Sequence, residues 1–337
     1  MWPLTNYLLR HRWQALILTF LITYIPVLGM ASILIAALVT LCVGVLEGAL
    51  FTVAATLPYA LIFLLGPPGT ISMIMLVTVM LAMTGNVLTW VFAVLLRRGW
   101  KWSALLQAAA LFGVLVISVV HLAYPNVADW WGTQLTAYYN QTIKSIAAAN
   151  ATSFDSTGEN PVEVINTVKS FMTGMIMVYV LFPSVVQAMV ARWWQVSIVN
   201  HSRMSKELHY VHLTRMAGTL FLLSLIFYYL ENSVVLDILP VLCLLFGAAG
   251  LSLVHYLCGL MEPSKGRFWL STVYAALMYS LIVMAMRPLF ATMNIMLPAL
   301  LVMFAVLILI TSIFAFVSLG LFDVWFDVRK KAHKFKR

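Results

Sequence analysis

Charge is what this chain lacks most: Asp, Glu, Lys and Arg make up 9% of its 337 residues, while 63% are hydrophobic. Soluble domains carry about 25% charged residues, and no soluble core has room for so much apolar side chain. A soluble globular fold is therefore excluded. Acid is scarcer than base, with 11 Asp and Glu against 20 Lys and Arg. On a soluble protein a net charge of +9 would suggest nucleic acid. Here the few cations sit beside long apolar runs, so membrane orientation and anionic lipid head groups explain them better, and no nucleic acid is expected. Cysteine is nearly absent, and Cys42, Cys243 and Cys258 all lie within apolar runs, where a thiol behaves as a small hydrophobe. They supply neither a disulfide frame nor a CxxC metal pair. Polar sequence is missing over any length except residues 125 to 168, and no tandem repeat of fixed period occurs.

What is there is a series of hydrophobic runs long enough to cross a bilayer, since a span needs about 20 apolar residues. From Ala15 to Leu65 the one charge is Glu47. Pro26 with Gly29, and Glu47 with Gly48, divide that stretch into expected helices at 14–28, 30–46 and 48–65. Gly66-Pro67-Pro68-Gly69 cannot continue a helix, so further spans are expected at 71–96 and 103–123. The second half reads as spans at 170–191, 216–231, 238–260, 268–287 and 297–321. The predicted fold class is all-α: one polytopic transmembrane helical bundle over residues 1–337 with about ten spans, or about eight if 14–65 holds one long span and a re-entrant piece. Residues 1–13 place charges ahead of an apolar stretch, as a signal peptide does. The run continues to residue 46 without a cleavage site, so the first segment is expected to remain as an anchor.

Orientation follows from the cations, because cytoplasmic loops carry an excess of Lys and Arg. Seventeen of the 20 fall in clusters at 10–12, 97–101, 192–215, 265–267 and 329–337. An even number of spans starting in the cytoplasm puts every cluster inside and both termini cytoplasmic. The same threading puts Asp129, Asp155, Glu159, Glu163, Glu231 and Asp237 outside. Residues 125–168 are thus expected to form a periplasmic loop with an amphipathic helix over 129–148, residues 192–215 a cytoplasmic amphipathic loop, and residues 323–337 a basic cytoplasmic tail. Tryptophans such as Trp90, Trp100, Trp130, Trp193 and Trp325 gather near expected span ends, as an aromatic belt does.

Polar residues inside the spans are the natural candidates for function, because an ionisable group in lipid is costly and faces protein or water. Glu47, at the break between two apolar helices, either binds a cation or proton or caps the helix that follows. His255 lies one turn beyond Ser252 and follows Gly247 and Gly250, small residues that permit close helix approach. It either lines a cavity or bonds a neighbouring helix. Asn86 and His121 are weaker candidates of the same kind. Glu47, Asn86 and His255 are the candidate substrate-binding residues.

Other candidates face the cytoplasm: Arg192, Trp193 and Trp194, then Asp323, Asp327 and Arg329. In Arg203 to Arg215, Met204, Leu208 and Val211 share one helical face, which predicts a helix lying in the head-group plane. His209 and His212 have the spacing to touch one metal, but no further ligand completes a shell. Asp323 and Asp327, spaced i and i+4, share a helix face. They suit either a metal-bound diphosphate or an ion-paired membrane exit in which Asp327 meets Lys331.

These segments carry a resemblance. Ala191-Arg192-Trp193-Trp194-Gln195, then Glu207-Leu208-His209 and Leu213, then Gly250-Leu251-Ser252-Leu253-Val254-His255, and finally Gly320 to Arg329 resemble the proteobacterial branch of the YybS-like family of predicted membrane proteins. The match covers mainly residues 185–330. Asn200-His201-Ser202-Arg203 stands where the family has Asn-Pro-Gly-Gly. The resemblance implies a bacterial inner-membrane protein, distantly similar to substrate-binding subunits of energy-coupling-factor transporters and to MreD-type scaffolds. It implies no catalytic residues and no cofactor.

Two expectations for function follow. Small-molecule transport or substrate binding is favoured by the Gly and Pro breaks, Glu47, His255 and the distant family relation. A non-catalytic scaffold is favoured by the absence of any dense polar constellation and by the basic, aromatic cytoplasmic loop. The expected partners are membrane lipids, with a small-molecule ligand in the first case and a protein at the cytoplasmic face in the second. An enzyme is not expected, because the histidines and carboxylates are too scattered to supply nucleophile, base and orienter together.

Overall fold

The structure is a computed structural model that describes residues 5, 7, 8, 10–25, 29–65, 73–148, 161–199, 207–230, 232–261, 263–290 and 296–335. Among them every regular element is an α-helix: α1 (Arg12–Thr23), α2 (Gly29–Cys42), α3 (Val45–Leu65), α4 (Met73–Arg97), α5 (Trp102–Ala123), α6 (Val127–Ala148), α7 (Pro161–Lys169), α8 (Met172–Val199), α9 (Arg215–Tyr228), α10 (Ser233–Leu260), α11 (Pro263–Phe290), α12 (Met296–Phe326) and α13 (Val328–Phe335). A helix lies at each of the expected span positions. Five contain stretches long and apolar enough to cross a membrane: Leu76–Arg97, Trp102–Ala123, Met172–Ser197, Ser233–Leu260 and Phe304–Phe326. Four more apolar stretches are shorter, at Arg12–Thr23, Gly29–Cys42, Val45–Leu61 and Arg215–Tyr228.

Hydroxyl side chains in these apolar helices find acceptors within the helix. Thr19 donates to the Ala15 carbonyl at 2.7 Å, Thr40 to Ala36 at 2.8 Å and Thr52 to Gly48 at 2.8 Å. Such bonds to the preceding turn hide a polar group where no water can serve it. Pro58, Pro183 and Pro240 sit inside α3, α8 and α10. Each removes one ladder donor, a loss that membrane helices tolerate when neighbours serve the freed carbonyl.

The chain divides into two compact units. The first comprises Met1–Trp100, Ala104–His201 and Leu222–Val241. Its core joins Leu8, Ala15, Ile33, Ala36, Val39, Phe51 and Ala55, with Trp194 packed against them. The second comprises Lys101–Ser103, Ser202–Phe221 and Leu242–Arg337. Within it α10 and α12 approach at backbone distance: a Cβ on Gly250 would collide with the Phe316 carbonyl, and one on Gly320 with that of Phe246. This is the close crossing that small residues allow. Gly250 makes it, whereas a Cβ on Gly247 would find Val317 at an ordinary 3.9 Å.

Two local expectations change. Helix α8 continues through Arg192, Trp193 and Trp194 to Val199, so these residues belong to a helix and not to a loop. Nothing in Arg192 to Val199 breaks a helix, and Arg192 donates to Gln195 one turn later at 2.7 Å. Beyond it, Asn200 to Lys206, with Met204, lie outside the described residues, as do Glu231, Asp155, Glu159 and the Gly66 to Gly69 turn. In the described remainder 207–209 are helical and 211–214 are not, before α9 begins at Arg215. Val211 and Leu213 are both buried, so this non-helical segment packs into the second unit instead of presenting one helical face to head groups. On the other side of the sequence, the expected helix over 129–148 is α6, and α7 packs beside it through the Asp129–Lys169 ion pair at 3.0 Å.

Candidate functional site

In the first unit, polar side chains gather where α2 ends and α3 begins. The last carbonyls of a helix have no partner in the helix and carry its negative dipole end. Arg97, from the end of α4, fills that role: it donates to the carbonyls of Thr40 at 2.8 Å, Leu41 at 3.0 Å and Val43 at 2.9 Å. Gln195 donates to Leu41 at 2.9 Å and accepts from Arg192. Glu47, in the first turn of α3, pairs with Arg12. Trp194 donates to the Thr5 hydroxyl at 2.9 Å, whereas Trp193 is 46% exposed. Asn86 reaches towards the Ala55 carbonyl at 3.5 Å, and Trp90, one turn on, towards Val45 at 3.4 Å; both tie α4 to α3.

A second polar centre of this unit was only half legible. His121 near the end of α5 lies 2.8 Å from the Asp237 carboxylate in the first turns of α10, with 5% and 2% of the side chains exposed. The other Asp237 oxygen accepts the Gly174 amide of α8 at 3.0 Å. Asp237 was expected outside the membrane as loop charge. Its burial has a sequence signature, an acid three residues ahead of Pro240 inside a continuous apolar run.

In the second unit the candidates converge on Arg329. Its guanidinium donates to Asp323 Oδ2 at 2.8 Å, to the His209 carbonyl, to the Val211 carbonyl at 2.8 Å and to the Ser252 hydroxyl at 3.3 Å. It also lies over the Tyr256 ring, whose hydroxyl donates to the Arg329 carbonyl at 3.2 Å. Ser252 in turn donates to the Leu208 carbonyl. The His209 and Val211 carbonyls lie where the helical residues 207–209 give way to non-helical chain, and one planar fork satisfies both at once. Asp323 neutralises the cation, and only 3% of its side chain is exposed.

His255 stands beside this centre, its ring 4.9 Å from that of His209. Burial, then the neighbouring His255 and Arg329, lowers the His209 pKa below the usual imidazole value. His209 and His212 diverge: His209 faces His255 and Tyr256, and His212 lies 3.2 Å from Asp327. Asp323 and Asp327 part as well, because Asp327 adopts a left-handed backbone with φ 48° that ends α12. Asp327 bonds Lys330 at 2.9 Å in place of the expected Lys331, and that bond holds its carboxyl below the usual range. The two carboxylates therefore take separate partners, Arg329 for Asp323 and Lys330 for Asp327.

The described surface carries open grooves. One, of about 730 Å³, lies between α6 and α7 and is lined by Asp129, Thr136, Asn140, Asn166 and Lys169. Another, of about 500 Å³, is apolar and lies between α4 and α5. Glu47, Asn86 and His255 line neither groove. Compared with known proteins, the chain matches no family model, no curated protein and no solved structure.

Proposed function

We propose that this is a multi-pass bacterial inner-membrane protein of the YybS-like family, with about ten spans and both termini cytoplasmic, that acts as a non-catalytic scaffold or assembly factor of the MreD type. The observation that carries the reading is that, among the described residues, Glu47, His121, Arg97 and Arg329 all bond to the chain itself. Glu47 takes Arg12, His121 takes Asp237, Arg97 takes helix-end carbonyls and Arg329 takes the 207–213 segment. Side chains so engaged hold helices together and leave the exposed Trp193 and the basic helix ends to meet a partner. The motif order from Arg192 to Arg329 supports the family assignment, and a helix at every expected position supports the span count. Reporter fusions at Asn150 and after Arg337 test the threading: cytoplasmic activity at Asn150 contradicts it.

Small-molecule transport, resembling an energy-coupling-factor substrate-binding subunit, is the second reading. The buried His121–Asp237 pair favours it, because ionisable groups enclosed among apolar helices commonly mark a ligand or proton path. Mass spectrometry of small molecules and proteins that co-purify with the wild type and with His255→Leu separates the two. Under the scaffold reading the substitution lowers folded yield modestly and changes no bound solute. A solute lost from His255→Leu at normal folded yield selects transport.

A further inference from the structure

The apolar groove between α4 and α5 has the dimensions and the charge of a lipid site. Phe92 is buried at its floor, Val87, Val91 and Leu95 line one wall, and Ala108 and Phe112 line the other. Val87 and Phe112 are 47% and 38% exposed, so the groove opens sideways. From Met83 to Leu95 it follows α4 for about 18 Å, close to the about 15 Å of hydrocarbon in one bilayer leaflet. Beyond Leu95 comes Arg98, exposed, with its amide still donating to the Val94 carbonyl at 3.0 Å in the α-helical pattern. A position three residues past Leu95 and seven past Val91 falls on the face that lines the groove. Its neighbour Arg97 is committed to the α2 carbonyls. Gly99, at φ 85°, stops the helix there, and the exposed Trp100 follows, a residue type that settles at head-group level.

We propose that this groove holds an acyl chain of an anionic phospholipid whose phosphate is bound by Arg98. Apolar length and one cation at its end match such a lipid, because a guanidinium bonds phosphate oxygens in charge-assisted pairs. The site stands under either reading of the protein's function.

Native mass spectrometry of the full-length protein in detergent, with phosphatidylglycerol or phosphatidylcholine of identical chains added, tests the proposal. The wild type should retain phosphatidylglycerol about fivefold better, the worth of one surface cation. Arg98→Gln should lower phosphatidylglycerol to the phosphatidylcholine level, and Val87→Trp, which fills the groove, should remove both. Equal retention of the two lipids by the wild type, or unchanged preference in Arg98→Gln, overturns the proposal. So does wild-type retention by Val87→Trp, or a dimer that Val87→Trp dissociates, which would make a second copy the occupant. If Val87→Trp fails to fold, the exposed Arg98→Gln substitution decides alone.

Discussion

In the first unit Arg97 donates to the carbonyls of Thr40, Leu41 and Val43; in the second, Arg329 donates to those of His209 and Val211. Both arginines close a break in a helical chain, yet only Arg329 has a carboxylate beside it. The difference lies in what each one meets. Arg97 reaches the C-terminal end of α2, where the dipole already supplies negative potential. Arg329 reaches the His209 carbonyl at the end of the helical residues 207–209 and the Val211 carbonyl in the non-helical chain beyond; only 11% of its side chain is exposed, and Asp323 supplies the charge that water cannot. The exposed Arg97 is thus served by helix-end carbonyls and water, whereas the largely covered Arg329 has a carboxylate beside it.

Removing the cation from each site is the strongest way to break this comparison. Arg329→Met leaves Asp323 buried without its partner and should cost about 3–5 kcal/mol, read as a large fall in thermal stability by fluorescence-detected size exclusion. Arg329→Lys keeps the charge but not the fork and should recover only part of it. A loss in Arg329→Met no larger than for a surface substitution would show that the segment 207–213 holds itself in place.

Arg97→Met should cost less, about 1.5–3 kcal/mol for charged hydrogen bonds, because no buried acid is stranded. If it proves the more damaging of the two, the dipole account of the first unit fails.

Acidity sharpens the contrast further, since His209 belongs to the second unit alone. Its pKa is lowered in the folded protein, so the unfolded chain takes up a proton first as pH falls. Stability should therefore be full above the ordinary imidazole value of about 6.5 and decline as pH falls through it, by well under about 1.4 kcal/mol per pH unit. Asp327, held low by Lys330, titrates in a more acidic range. His209→Gln should flatten the slope in melting curves recorded from pH 7 to 5; an unchanged slope assigns the effect elsewhere. Smallest of all is Arg12→Gln. Arg12 is 57% exposed beside Glu47, and such a pair contributes about 0.2–1 kcal/mol, near the limit of a thermal-shift measurement.

Helix positions were legible in the sequence because apolar run length and Gly or Pro breaks act locally. What failed were places where distant partners decide. Val211 and Leu213 are two residues apart, a spacing that puts both on one side of an extended segment, but Val211 with Met204 and Leu208 also reads as a helical face. Asp323 and Asp327 have helical spacing, and only the left-handed backbone at Asp327 separates them. Arg97 and Arg329 entered the sequence reading as orientation charges or interface candidates; their backbone acceptors lie more than 50 residues away in the chain. His121 and Asp237 are likewise 116 residues apart, and neither flank names the other.

The shortness of α1 has a consequence for the lipid around it under the proposed threading. With 12 residues, it reaches about 18 Å, less than the about 30 Å of a bilayer's hydrocarbon. A span of that length would draw the two lipid surfaces inward or recruit thinner bilayer, so that the amino-terminal part of the proposed bundle would act on the membrane as well as sit in it.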